Sequence, residues 1–392
     1  MKKLLGLFLV LTMAWPASAA IVDNVDAIGE IEVIGANNNA QMSKANGAAS
    51  RVMAGLSAEL TEDVRANVQF VYNTPWNGSS QGRAISSETA GEEGYLQDIY
   101  LAEANMVLSN LMDRFELTLG RQFYGDEDSA LLYFGSRHGY MAALANPVTS
   151  LDAAKLTYAD DVKALTLIAG KTQNLLETAK DADFYGIDFR MNLTDMVKAQ
   201  VYGYTYRNND WQDEYQGFYG AKLSMMPQAG ALSVEYARGH NGDRLIKESS
   251  DTPYLVRAEG ALHMDAFTPR AAFIYQKGVV SEYGAYAPGL VYSKTYFGED
   301  LYNALDGKRI FNVGLDYNWD KWTFALDGFA FQERSGKDAA TWEADLTATY
   351  QHNENVGLFA GIGYAKLGTD MKADHNGQQD ATVYQAGVNV KF

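Results

Sequence analysis

Segments of about ten residues in which apolar and polar side chains alternate recur along the whole chain. Clear instances are "VMAGLSAEL", "DVRANVQFVY", "ADFYGIDFRMNL", "YLVRAEGALHM", "KRIFNVGLDYNW" and "NVGLFAGIGYAKL". Period two is the signature of extended strands, whose side chains point to opposite faces in turn. No Pro/Ser-rich linker or change of composition interrupts the rhythm, so one continuous β domain is expected. Every strand then carries one apolar face that must leave water.

The connections decide how. Short ones are read at 61–63, 109–113, 159–161, 194–196, 227–230, 265–266, 319–320 and 353–355. Long ones are read at 36–48, 75–93, 124–150, 173–182, 207–213, 240–252, 279–306, 334–339 and 367–379. The two kinds alternate strictly, which counts out to about 18 strands, with 16 as the alternative, and puts both chain ends on the short-turn side. The expected fold class is all-β, a transmembrane antiparallel β-barrel of the outer-membrane kind. Such barrels pair every backbone group in a closed sheet, face apolar residues to lipid and polar ones to the lumen, and keep short turns on the periplasmic side.

The N-terminus agrees with export. Lys2 and Lys3, an apolar run from Leu4 to Trp15 and the small-residue pattern Ala17-Ser18-Ala19 form the layout of a cleaved secretory signal over residues 1–19. The remainder, 20–392, is read as a single barrel domain. Without Lys2 and Lys3 the 32 basic residues fall to 30 against 49 acidic ones, a net charge of −19, which disfavours nucleic acid as a partner. There is no Cys, so no disulfide framework supports the exported chain.

The last ten residues, "VYQAGVNVKF", place Tyr384, Ala386, Val388, Val390 and Phe392 on one side of a strand. An amphipathic closing strand with a final aromatic resembles the C-terminal assembly signal of Gram-negative outer-membrane barrels. The resemblance implies that Tyr384 and Phe392 are read by the barrel-assembly machinery and that the strand closes against the first.

Lumen-facing candidates are the residues opposite the apolar parity of each strand. Basic ones are Arg51, Arg65, Arg114, Lys155, Arg190, Lys198, Lys222, Arg257 and Arg270. Acidic ones include Asp188, Glu235, Asp316, Asp327, Glu343 and Asp345. Charges of both signs are too costly to leave in a dry interior, so the lumen is expected to be wet. A barrel of about 18 strands has room for solute.

The stretch "LTLGRQFYGDEDSALLYFGSRHGY" is the most distinctive. Its Gly120-Arg121-Gln122 strand end, followed by Tyr124-Gly125-Asp126, resembles porins. It is similar both to the general trimeric type, whose third loop folds into the barrel, and to the alginate-export type. Leu131, Leu132, Tyr133, Phe134, Tyr140, Met141 and Leu144 make the 124–150 segment apolar for a loop, so it is expected to fold inward and narrow the pore. Asp126, Glu127 and Asp128 would then face Arg51, Arg65, Arg114 and Arg121 across a constriction. Arg121 shares the parity of Leu119 and reaches the lumen only through a bulge at Gly120.

These residues point to a passive porin for small hydrophilic solutes and ions. The alternative is a substrate-selective channel for oligosaccharide or polyanion, alginate-like, in export or uptake. An outer-membrane hydrolase or an adhesive barrel is the reading from another class. Ser136 and His138 stand too close in sequence to define a triad, and no GxSxG elbow occurs. No enzyme activity, cofactor or metal is expected; the five histidines lack metal-ligand spacing. Expected partners are outer-membrane lipid and lipopolysaccharide, the assembly machinery and small solutes, with a homotrimer implied by the resemblance.

Overall fold

The computed structural model describes residues 24–39, 46–76, 99–136, 138–139, 149–172, 182–208, 215–240, 252–278, 280–281, 283–284, 286, 288–291, 308–333, 340–369 and 378–392. The expected leader at 1–19, and Tyr140, Met141 and Leu144 of the third loop, lie outside the described residues.

Twenty strands fall among them: β1 (Asn24–Asn38), β2 (Asn46–Thr61), β3 (Val64–Pro75), β4 (Ile99–Leu111), β5 (Phe115–Gln122), β6 (Tyr124–Gly125), β7 (Tyr133–Phe134), β8 (Leu151–Ala159), β9 (Lys163–Thr172) and β10 (Ala182–Thr194). They continue with β11 (Val197–Asn208), β12 (Gln216–Met225), β13 (Gly230–His240), β14 (Tyr254–Leu262), β15 (Phe267–Lys277), β16 (Lys308–Trp319), β17 (Trp322–Glu333), β18 (Thr341–Gln351), β19 (Val356–Lys366) and β20 (Asp380–Lys391). Eighteen form one antiparallel sheet, each beside its sequence neighbour; β6 and β7 are a small separate hairpin between β5 and β8. The sheet closes, because β1 pairs with both β2 and β20. Closure leaves no edge strand to satisfy.

The burial pattern is inverted relative to a water-soluble protein. On β13 the outward Leu232, Val234 and Tyr236 are about half exposed, at 48, 47 and 48%, while the inward Ser233, Glu235 and Ala237 are at 9, 8 and 0%. Large apolar side chains are left on the outside only where the solvent is lipid. Aromatic rings cluster at both ends of this outer band. Phe267 and Tyr317 stack at 4.9 Å and Trp322 meets Tyr350 at 4.8 Å near the short turns, and Tyr254 meets Tyr275 at 5.6 Å near the long connections. These are the two interfacial girdles of a barrel in a bilayer.

Turn chemistry fixes the register. Asp265 and Asp320 occupy two-residue hairpin turns at φ 50° and 51°, a left-handed conformation that Asp tolerates better than most residues. The first of these is the Asp265-Ala266 turn read from the sequence. The second is Asp320-Lys321, one residue beyond the expected Trp319-Asp320.

Candidate pore and constriction

The connection after β5 turns back at once. Gly125, at φ +97°, lets β6 pair with β7; a Cβ there would lie 2.4 Å from the Leu132 carbonyl oxygen. The hairpin brings Leu131, Leu132 and Phe134 onto the inner wall, where they are buried with Leu151, Ile168, Phe184 and Ile274. Those wall residues share the inward parity of their strands, so the loop lies inside the barrel. Phe134 contacts Phe184 at 5.4 Å, and Tyr124 shares a 3.0 Å hydroxyl hydrogen bond with Tyr204. Burial pushes the Tyr124 phenol up to about 12. Each large apolar side chain buried this way contributes on the order of 1.5–3 kcal/mol, enough for three of them to hold the segment in place.

The loop then crosses the lumen. On one side Arg257 of β14 donates to the Asp128 carbonyl at 2.7 Å and to Glu259 Oε2 at 2.7 and 3.0 Å, with its guanidinium 4.8 Å from the Tyr286 ring centroid. On the other, Arg51 of β2 donates to His138 Nδ1 at 2.8 Å and to Ser136 Oγ. Gly139 donates its N–H to Glu32 at 3.3 Å. In the ring of strands β14 lies ten steps from β2 one way and eight the other, nearly opposite. Arg51 is fully buried, and Glu30 and Glu32 of β1 lie 3.3 and 3.4 Å away, so its charge is matched inside the wall.

A second inward segment meets the first, and nothing in the sequence reading identified it. Leu132 and Tyr283 form a parallel bridge, Tyr133 donates its N–H to the Tyr283 carbonyl at 2.8 Å, and Tyr286 donates to the Ser129 carbonyl at 3.0 Å. Further along, Leu290 and Val291 donate their N–H groups to Asp345 at 2.8 Å and Glu343 at 2.6 Å. Gly289, at φ +80°, makes the approach possible, because a Cβ would lie 2.6 Å from the Glu343 carboxylate. The sequence signal was weak: an acidic pair on one strand and glycines at 361 and 363 on the next, which leave space for Leu290 and Val291.

The expected site residues therefore separate into groups. Arg51, Arg65, Lys155, Arg190 and Asp327 keep the inward parity. Arg190 pairs with Asp188 at 3.1 Å yet its side chain is 68% exposed, inside the closed sheet. Asp327 accepts from Arg270 at 2.6 Å. Glu343 and Asp345 are inward but covered; they hold the second segment and do not face open water. Arg114 is corrected: it belongs to the exposed turn between β4 and β5, bonded to the Tyr158 hydroxyl at 3.3 Å, because after a register shift between Leu108 and Leu111 the turn falls at 112–114, one residue past the end of the 109–113 turn read from the sequence.

Arg121 is corrected as well. The pairings of Leu119, Gly120 and Arg121 with both neighbouring strands run without a bulge, so Arg121 stays on the outer parity and makes two 2.8 Å bonds to Asp152. Asp126, Glu127 and Asp128 are exposed, but they do not face the expected set of four cations. Asp126 accepts the Asp128 N–H at 3.1 Å, Glu127 accepts the His138 N–H at 3.3 Å, and the nearest bonded guanidinium is Arg257. Arg51 is linked to this cluster through His138. Tyr384 and Phe392 lie on the outside, about half exposed. Among the described residues no His, Cys, Asp and Glu side chains gather in metal-binding number.

A closed 18-strand barrel with a lipid-facing exterior and an interior entered by two loops is a transmembrane β-barrel, the fold class of the OccK/OprD outer-membrane porins. Neither a protein-family model nor a curated protein matches the sequence. Among solved structures the chain is similar to OccAB2 of Acinetobacter baumannii, with TM-score 0.69 at 13% identity over 95% of this chain and 99% of that one. It is similar also to OccK5 (OpdH) of Pseudomonas aeruginosa, TM-score 0.62 at 16% identity over 95% and 99%. OpdK of the same organism, solved with vanillate, gives 0.63 at 11% identity over 95% and 100%.

Proposed function

We propose that this chain is an outer-membrane channel through which small hydrophilic solutes and ions diffuse passively. The observation that carries the reading is the Arg190 side chain, inside the barrel yet 68% exposed. A guanidinium stays charged, and it is stable there only if water fills the space around it. The two inward segments that meet at Leu132 and Tyr283 favour small solutes over the polyanion or oligosaccharide of the alternative reading. A hydrolase finds little support, since the Ser136 hydroxyl and the His138 ring both engage Arg51 and not each other.

Recognition of Phe392 by the assembly machinery belongs to the same proposal, and a homotrimer rests on the sequence resemblance alone. Liposome swelling with the purified protein tests the channel. A panel of neutral sugars, amino acids and a small aromatic acid such as vanillate should enter at rates that fall with solute size. Absence of swelling for every member would overturn it.

A further inference from the structure

One aromatic ring inside the barrel takes no part in the packing of the inward loops. Inward Phe and Tyr side chains such as Phe184, Tyr204, Phe218 and Phe331 are buried in the apolar cluster beneath those loops, and Tyr100 packs on a smaller one. Phe359 of β19 shares the inward parity of Gly361 and stands opposite Gly387 in register. It belongs to neither cluster, is only partly buried, and among the described residues meets no other ring. Gly387 makes room for it. The glycine is not in the left-handed region, and a Cβ there would lie 2.5 and 2.6 Å from two carbons of the Phe359 ring. The ring therefore bends down across the neighbouring strand, with its other face turned to the lumen. About 7 Å along β19 toward the long connections, the second inward segment reaches the wall. A Cβ on Gly361 would lie 3.0 Å from Leu290, and 3.3 and 3.6 Å from the stems of Thr347 and Gln385. Phe359 is thus the first inward side chain below the constriction on this strand. On its other side Gly357 leaves the wall bare, since a Cβ there would meet only Gln351 Oε1, at 3.5 Å.

We infer that Phe359 is a stacking platform for the pyranose ring of a neutral sugar at the lower mouth of the constriction, with Thr347, Thr349 and Gln385 bonding its hydroxyl groups. A pyranose with equatorial hydroxyls presents C–H groups on its faces and hydroxyls around its edge. An aromatic face takes the first, and a few polar side chains beside it take the second. Thr349 is the register neighbour of Phe359 on β18, and Thr347 and Gln385 flank Gly361 on either side. The charges nearest the ring do not favour an ion. Asp345 accepts the Leu290 N–H, Glu30 is paired with Arg51 and accepts from Asn389, and Lys391 stands opposite Glu30 near the short turns. The inward lysines Lys155, Lys198 and Lys222, on β8, β11 and β12, are seven or eight strands away across the barrel. A single ring holds a solute briefly, which is compatible with passage. The inference deepens the channel reading and rests on its water-filled lumen.

Current noise in single channels of the full chain tests it, with methyl β-D-glucopyranoside and the acyclic hexitol mannitol as probes. Both are neutral polyols of similar size, and only the glucoside has a rigid ring with C–H faces. The glucoside should bind at least about fivefold more tightly than mannitol, a comparison that needs no variant. Phe359→Ala and Phe359→Leu should both erase the difference, the second because it keeps apolar bulk without the aromatic face. Equal binding of the two polyols by the parent would overturn the proposal, as would a difference that survives in Phe359→Leu. Tighter binding of benzyl alcohol than of the glucoside would overturn it too, assigning the ring to apolar solutes. The current before any polyol is added reports on the channel separately. A pore that conducts salt and does not distinguish the polyols therefore refutes the sugar site alone.

Discussion

The Arg51 guanidinium and the His138 ring are joined by a 2.8 Å hydrogen bond that ties the far end of the first inward loop to the wall opposite Arg257. His138→Ala removes this bond, leaving the Ser136 and Gly139 bonds to the wall and the Arg51 pairs with Glu30 and Glu32 in place. Single-channel current through this variant should be noisier at unchanged barrel stability. Arg51→Met should act differently, since it strands two buried carboxylates. A loss of about 3–5 kcal/mol is expected, read as a lower temperature for loss of the compact band on unboiled gels. Identical noise in His138→Ala would show that the loop is held without this bond.

Phe392 and Gly29 exchange both backbone hydrogen bonds, at 2.8 and 3.0 Å, so the last residue completes the seam of the barrel. A Cβ on Gly29 would lie 2.5 Å from the Met53 carbonyl oxygen and 2.7 Å from the Phe392 ring. Gly29→Leu should therefore reduce the assembled fraction more than Phe392→Ser, and both more than Tyr384→Ser. Export should be unaffected, because the leader expected at residues 1–19 is untouched. Normal insertion of both Gly29→Leu and Phe392→Ser would contradict this seam.

Glu343 and Asp345 hold the second inward segment through the N–H groups of Leu290 and Val291. Charged acceptors make stronger hydrogen bonds than neutral amides. Glu343→Gln with Asp345→Asn should loosen the segment and raise conductance, with little change in gel mobility. Conductance equal to the parent would mean that apolar packing alone fixes it.

Charge selectivity should follow position. Arg190→Gln removes a water-exposed positive charge from the lumen and should shift reversal potential toward cations in a low-salt gradient. Neutralising Asp126, Glu127 and Asp128 should shift it toward anions. Arg114→Gln and Arg121→Gln should do neither, because one lies in a turn and the other faces outward. At 1 M salt, where the Debye length is about 3 Å, the shifts should shrink. A shift produced by Arg121→Gln as large as that from Arg190→Gln would contradict the assigned faces.

Strand rhythm and closure were legible in the sequence because each depends on local parity. Leu232, Val234 and Tyr236 against Ser233, Glu235 and Ala237 need only a period of two, and the alternation of turn lengths then sets the strand number. The parity of Arg121 with Leu119 was equally plain; only the bulge was left to the backbone, and it did not form. Arg114 was misplaced because a turn that ends one residue later looks the same in sequence as a strand start. The second inward segment was hidden for a different reason. Its anchors, Glu343 and Asp345, lie more than 50 residues beyond Leu290 and Val291, and an acid on an inward parity reads the same whether it meets water or a backbone N–H. The link from Arg51 to His138 spans 87 residues and depends on the loop crossing the lumen, which no local pattern specifies.

The most direct test is single-channel conductance of the purified chain in planar bilayers, compared with a variant in which residues 128–146 are replaced by a short Gly/Ser linker. The narrowest section dominates the resistance of a water-filled pore. The parent should give discrete, ohmic steps, and the deletion larger ones. Absence of steps in the parent, or steps of equal size in the two proteins, would contradict a water-filled lumen narrowed by this loop.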